Sequence, residues 1–220
     1  MQNVSAPSVG RPRSGARRLP SASARDEILD AAAELFAQRG YAATSTRLIA
    51  ERVGIRQASL YYHFANKEQI LAELLEATVR PSLEYAATLA DAEPVEALHA
   101  LVVFDVGVLL DTRWNVGILY ALPEIATAPF ARFREERQRL RYAYRKLVVK
   151  CDHPEILADL VFGLVESVIG MRRDLDALPG TEILQQTVAA AALRLIDRTP
   201  SGPPSSRNLS GRKVREEQHR

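Results

Sequence analysis

The chain has 220 residues, 47% of them apolar, enough to bury a substantial core, and its net charge is only +2. A single cysteine, Cys151, excludes an intramolecular disulfide and suits a reducing cytoplasm, and no N-terminal apolar stretch reads as a secretory signal. The longest apolar run, 97–110, is broken by His99 and Asp105 and is too short to span a bilayer, so no membrane partner is expected.

The charge is unevenly spread. Residues 1–25 hold five arginines and no acid, and residues 198–220 hold six bases and two acids, which leaves the middle at −7. An acidic body with basic ends argues against a general polyanion binder and for a contact face confined to one end. Residues 1–23, rich in Ser, Pro, Gly, Ala and Arg, are expected to form a disordered basic leader.

The first predicted helix covers 24–39. Ile28, Leu29, Ala32, Leu35 and Phe36 share one face, Asp26 and Glu27 lie in the first turn, and Gly40 follows as a stop. A second helix is predicted over 45–53, with hydroxyls at Thr44, Ser45 and Thr46 for capping and Leu48, Ile49 and Val53 inward. Gly54 ends it. A third runs over 57–64, where only Leu60 and Phe64 point inward. Gln57, Ala58, Ser59, Tyr61, Tyr62 and His63 are left outside, a face of hydrogen-bonding and aromatic groups suited to base edges and phosphates. Asn66 and Gln69 then offer a capping box for a fourth helix, expected to continue to Pro81 or slightly beyond before a kink or break.

Residues 24–76 resemble the N-terminal domain of tetracycline-repressor-type (TetR-family) regulators. The resemblance rests on AELFAQRGY, TSTRLIAERVG and IRQASLYYHFANKEQIL, above all on Leu60-Tyr61-Tyr62-His63-Phe64 followed by Asn66-Lys67-Glu68. It covers about a quarter of the chain and implies a DNA-reading helix-turn-helix at 24–66 joined to a variable helical sensor. Arg47 is suited to a guanine edge, Gln57 to an adenine and Ala58 to a thymine methyl, and in the family the matching positions commonly serve these purposes. The chain departs from the family pattern at Ala58. Ser45, Thr46, Ser59, Tyr61, Tyr62, His63 and Lys67 are the phosphate candidates, Lys67 being placed at a helix N-terminus.

Past the motif, residues 67–198 read as a helical ligand-binding and dimerisation domain. A helix opens at Pro94, a short helical piece lies near 114–122, and a long, charged helix runs over 130–150. That charge run is expected to be a solvated face with i,i+4 pairs such as Glu135–Arg139. Apolar doublets recur every four residues over 154–172 and again over 181–197, with Gly163, Ser167 and Gly170 interspersed. Two such helices are expected to close a homodimer as a four-helix interface. Residues 199–220 read as a disordered basic tail.

No catalytic set, cofactor motif or metal-ligand spacing stands out, since the four histidines are scattered. Asp105 and Glu166 lie inside apolar runs, read either as turned to solvent or as a pocket acid or a contact at the dimer seam. Phe104, Trp114, Tyr120, Phe133 and Phe162 are the candidate lining of a small-molecule site. The sequence thus points to an all-α regulator, a repressor that binds a palindromic DNA operator and is released by a small apolar or amphipathic effector. A constitutive DNA-binding dimer of the same fold, and a helical enzyme with a coincidental helix-turn-helix, remain as alternatives.

Overall fold

The computed structural model describes residues 23–197, and every regular element among them is helical. The basic leader and tail expected at the two ends, apart from Ser23, lie outside the described residues. Helix α1 spans Ala24–Arg39. The Ser23 hydroxyl accepts from the Asp26 amide at 3.2 Å, and the Asp26 carboxylate accepts from the Ser23 amide at 3.0 Å, so two amides that the helix itself leaves unpaired are satisfied. Helix α2, Thr46–Val53, is capped by the Ser45 hydroxyl on the Leu48 amide and stops at Gly54. With φ 82° and ψ 32°, Gly54 is left-handed, a conformation that a side chain would disfavour. Helix α3 spans Gln57–His63 and α4 spans Lys67–Ala77, capped by the Asn66 side chain on the Gln69 amide at 2.8 Å.

The fourth helix ends earlier than its sequence suggests. A proline at 81 clashes with a helical carbonyl four residues back, at Ala77, so the chain leaves the helix there. Thr78 turns its hydroxyl onto the Leu75 carbonyl at 2.6 Å. Pro81 then falls in the first turn of a new helix, α5 (Arg80–Thr88), where its missing amide is no loss.

Helix α6 (Pro94–Asp111) follows, then three 3-10 turns at Val116–Ala121, Pro123–Ala126 and Ala128–Phe130. The chain ends in α7 (Ala131–Lys150), α8 (Ile156–Asp174) and α9 (Thr181–Asp197). Helix α6 is the centre of the body and touches α5, α7, α8 and α9. Its buried side chains, including Leu98, Leu101, Val102 and Val106, continue into those of α7, α8 and α9. The head, α1–α4, meets this body where α1 and α4 reach the 3-10 turn at Val116–Ala121 and where α4 reaches α7 and the turn at Ala128–Phe130.

The charge run of α7 is largely a seam. Arg137 binds Glu166 of α8 through Nε at 2.9 Å and Nη2 at 2.6 and 2.7 Å, and Arg141 and Arg145 both reach Asp159. Arg132 and Arg80 converge on Glu76 and Glu136, joining α4, α5 and α7. Cross-helix carboxylates thus take most of the guanidiniums expected to face solvent. Asp105 is likewise turned inward, 3% exposed. Among the described residues no helix is long and apolar enough to cross a membrane.

Candidate nucleic-acid interface

The exposed side of α3 is built by what the head needs to bury. Leu60 and Phe64 are buried in the core of the head, and that choice forces the rest of the short helix outward. Gln57, Ala58, Ser59, Tyr61 and Tyr62 are all exposed, Tyr62 at 88%. His63 is half-buried, with its ring edge-on to Tyr62 at 5.4 Å. With 88% of its surface in water and only the His63 ring edge against it, Tyr62 is a candidate contact rather than a core residue.

Three expected DNA-reading groups already contact one another. Gln57 Nε2 donates to Thr46 Oγ1 at 2.9 Å and to Tyr61 Oη at 3.3 Å, and Thr46 and Tyr61 share a hydrogen bond at 3.1 Å. This triangle holds α2 against α3 and fixes the aim of the Gln57 amide. Arg47 projects from α2 and is held by Glu51 at 2.8 Å, an exposed i,i+4 pair that water screens. That hold is weak enough for a base or phosphate to displace. Ser45 is exposed, with its hydroxyl engaged in the α2 cap.

Lys67 is placed differently from the other phosphate candidates. Its Nζ donates to the carbonyls of Tyr41 and Thr44, each at 2.9 Å, and lies 4.0 Å from the centre of the Tyr41 ring. The amine is committed to tying the α1–α2 loop onto α4. Sequence reasoning passed over Arg56, which is exposed, immediately precedes α3 and has no carboxylate in ion-pair range among the described residues. The available signal was a cation one position before the recognition helix.

The five aromatic side chains expected to line one ligand site do not all meet in a single cavity: Tyr120, Phe133 and Phe162 are neighbours, Phe104 and Trp114 are not. Phe104 stacks on Tyr85 at 4.2 Å in an open groove between α5, α6 and the start of α9. Trp114 donates from its indole Nε1 to Asp30 of α1 at 3.1 Å, a link between body and head. Tyr120 and Phe133, with ring centres 5.2 Å apart, wall a separate cavity of about 280 Å³ together with Ile125, Arg134, Arg137 and Gln138. Phe162 lies behind it, against the Arg137 guanidinium and the Tyr144 ring. Helical spacing marked these rings as inward. It carried no information on which neighbour each would meet.

Tyr120 joins the cavity to the head. Its hydroxyl shares a hydrogen bond with that of Thr78, the residue that closes α4. Burial pushes the Tyr120 phenol above its ordinary range, so it stays a neutral donor or acceptor.

Residues 28–74 match the family described as "Bacterial regulatory proteins, tetR family". Over 54 residues the chain is 54% identical to the HTH-type transcriptional repressor KstR2 of Mycolicibacterium smegmatis, a stretch that is 24% of this chain and 26% of that protein. The chain therefore aligns with only about a quarter of the length of these curated relatives. The crystal structure of Mycobacterium smegmatis AmtR is similar over far more of the molecule, with 46% identity and a TM-score of 0.77 across 84% of this chain and 91% of that one. The KstR2 structure from Mycobacterium tuberculosis shares the fold, with a TM-score of 0.64 at 24% identity. With its capped helix-turn-helix, its all-helical body and this likeness along nearly the whole of a solved relative, the chain belongs to the TetR family of bacterial regulatory proteins.

Proposed function

We propose that the protein is a dimeric, sequence-specific DNA-binding repressor whose body binds a small effector. The observation that carries this reading is the outward face of α3: an ordered amide, hydroxyls and two tyrosines, presented by a helix whose inward residues are fully buried. Repression is taken as the sign of regulation because the curated relatives with a similar head are named repressors. In this reading Gln57 and Arg47 address base edges and Ala58 meets a methyl group. Ser45, Thr46, Ser59, Tyr61, Tyr62, His63 and the added Arg56 approach the backbone. Lys67 orients the α1–α2 loop and contributes any phosphate contact through its remaining proton.

Dimerisation supplies the second half-site. A two-fold pair of recognition helices reads successive major grooves about 34–36 Å apart. The faces offered for it are those of α8 and α9 that the body leaves bare: Ile156, Leu160, Gly163 and Ser167, with Ile183, Thr187 and Arg194. The effector is assigned to the cavity beside Tyr120, because that residue touches both the cavity and the end of α4. A ligand that prefers the arrangement with misplaced recognition helices then shifts the population away from DNA.

A gel shift with DNA from upstream of the protein's own gene tests the reading. Sequence-selective binding is expected at moderate salt. Gln57→Ala is expected to relax base preference by about 1–3 kcal/mol at one position of each half-site, and Arg56→Ala to weaken all sequences alike and reduce the salt slope by about one unit. Binding that ignores sequence would sink the assignment, as would identical behaviour of the two variants.

A further inference from the structure

Granting that the body houses an effector, we infer that the cavity beside Tyr120 takes a small carboxylate with an apolar body, which competes with Glu166 for Arg137. The chemistry of the walls is divided. Tyr120, Ile125 and Phe133 form an apolar side, and Arg134, Arg137 and Gln138 form a polar one. The two guanidiniums are not equally neutralised. Arg137 is met in full by the Glu166 carboxylate, whereas Arg134 donates only to backbone carbonyls, those of Ile125 at 2.5 Å and Thr127 at 2.6 Å. Among the described residues no carboxylate lies in ion-pair range of Arg134. The cavity thus carries one uncompensated positive charge beside an aromatic wall. That pattern complements a monoanion with an apolar body, and the planar fork of a guanidinium fits a carboxylate.

The far side of the cavity sets its depth. Behind Tyr120 and Arg137 lies a void of about 10 Å³, bounded also by Asp105 and Glu166. It admits no more than a water molecule, and its two carboxylates repel an anion. An acidic ligand therefore seats at the outer level, beside Arg134 and within reach of Arg137.

That position couples the ligand to the head. The Arg137 guanidinium lies 5.5 Å from the Tyr120 ring and 5.3 Å from the Phe162 ring. Turning it from Glu166 toward a ligand carboxylate removes a cation from the face of Tyr120, while the ligand body presses on the same ring. Tyr120 is the partner of Thr78, so its displacement frees the end of α4, the helix that follows the recognition helix directly. The energetic link is one side chain long on each side.

Melting and operator binding of the full chain, measured with benzoate, phenylacetate and hexanoate at millimolar concentration, test this against benzamide, phenylacetamide, hexanamide and hexylamine. At least one of the acids is expected to raise the melting temperature and weaken operator binding by about fivefold or more, with its amide and the amine inert. Arg134→Gln is expected to lose the melting response, and Arg134→Lys to keep the preference for acids. Arg139→Gln, in a separate groove of α7, is expected to respond like the parent. Equal effects of acids and amides, no melting response to any acid, or an undiminished response of Arg134→Gln would each overturn the inference. The melting arm uses no DNA, so a failure of operator recognition is read separately from a failure of the ligand assignment.

Discussion

At the scale of single residues, the costliest choice in the body is a carboxyl at position 105. It is buried in α6, where it accepts from Ser82 of α5 at 2.8 Å and from Tyr144 of α7 at 2.9 Å. Burial pushes its pKa up to about 6; the two hydroxyl donors pull the other way, nearby Glu166 adds to the rise and Arg137 opposes it. The folded protein therefore holds this proton at pH values where the unfolded chain, with a carboxyl near 3.8, has released it. The group's contribution to stability is complete below about pH 4 and is lost as pH rises through about 6. Asp105→Asn removes that dependence while keeping the shape. Urea unfolding at pH 4.5 and 7.5 is expected to show the variant gaining on the parent by about 1–3 kcal/mol across the interval. Parallel pH profiles would refute the account. Lys67 and Asp105 teach the same lesson about residue type. Lys67 is expected at a phosphate and Asp105 either at solvent or as a pocket acid or seam contact, and each is placed by partners far away in sequence.

Between elements, the segment joining α6 to the first 3-10 turn acts as a tie. Arg172 of α8 donates to the carbonyls of Leu109 and Thr112 at 2.6 and 2.5 Å, and Asn115 donates to the Ile169 carbonyl at 2.8 Å. From this anchored segment Trp114 reaches Asp30 of α1, with Arg113 3.7 Å from the same carboxylate. Helix α8 and the helix-turn-helix head thus grip one short stretch of chain. Trp114→Phe keeps the ring and deletes the hydrogen bond, a loss of about 1 kcal/mol or somewhat more because the acceptor is charged. Amide exchange along α1 is expected to quicken by about five- to tenfold, with the protection of α6 and α8 unchanged. Unaltered exchange in α1 would mean that the bond holds nothing.

For the whole molecule, α8 and α9 leave bare apolar residues that a single chain does not cover. Ile156 is 63% exposed, Leu160 51% and Ile183 62%, and they lie on the outward sides of two adjacent helices. Burial against a second copy would stabilise each by up to about 1.5–3 kcal/mol scaled by the exposed fraction. Leu160→Glu leaves the inward residues Val161, Val165 and Val168 untouched, so the fold is expected to survive. Sedimentation equilibrium is expected to report a monomer, with operator affinity down by about a hundredfold as the second half-site is lost. A variant that remains dimeric would move the interface elsewhere.

What the sequence determined by itself is the head. The caps of α1 and α2 are made by residues three positions away and the turn is set by the left-handed Gly54, so local chemistry was enough to place α1, α2 and α3 and to show which side of α3 faces out. The end of α4 was misread by a few residues, because the steric effect of Pro81 acts one turn upstream of the proline. The body was legible as helices with inward and outward sides, and no further. Whether Arg137 meets solvent or Glu166, and whether Tyr120 shares a cavity with Phe104 or with Phe133, depends on residues tens of positions apart brought together by packing. Periodicity fixes the face of a helix, but only tertiary structure chooses its neighbour.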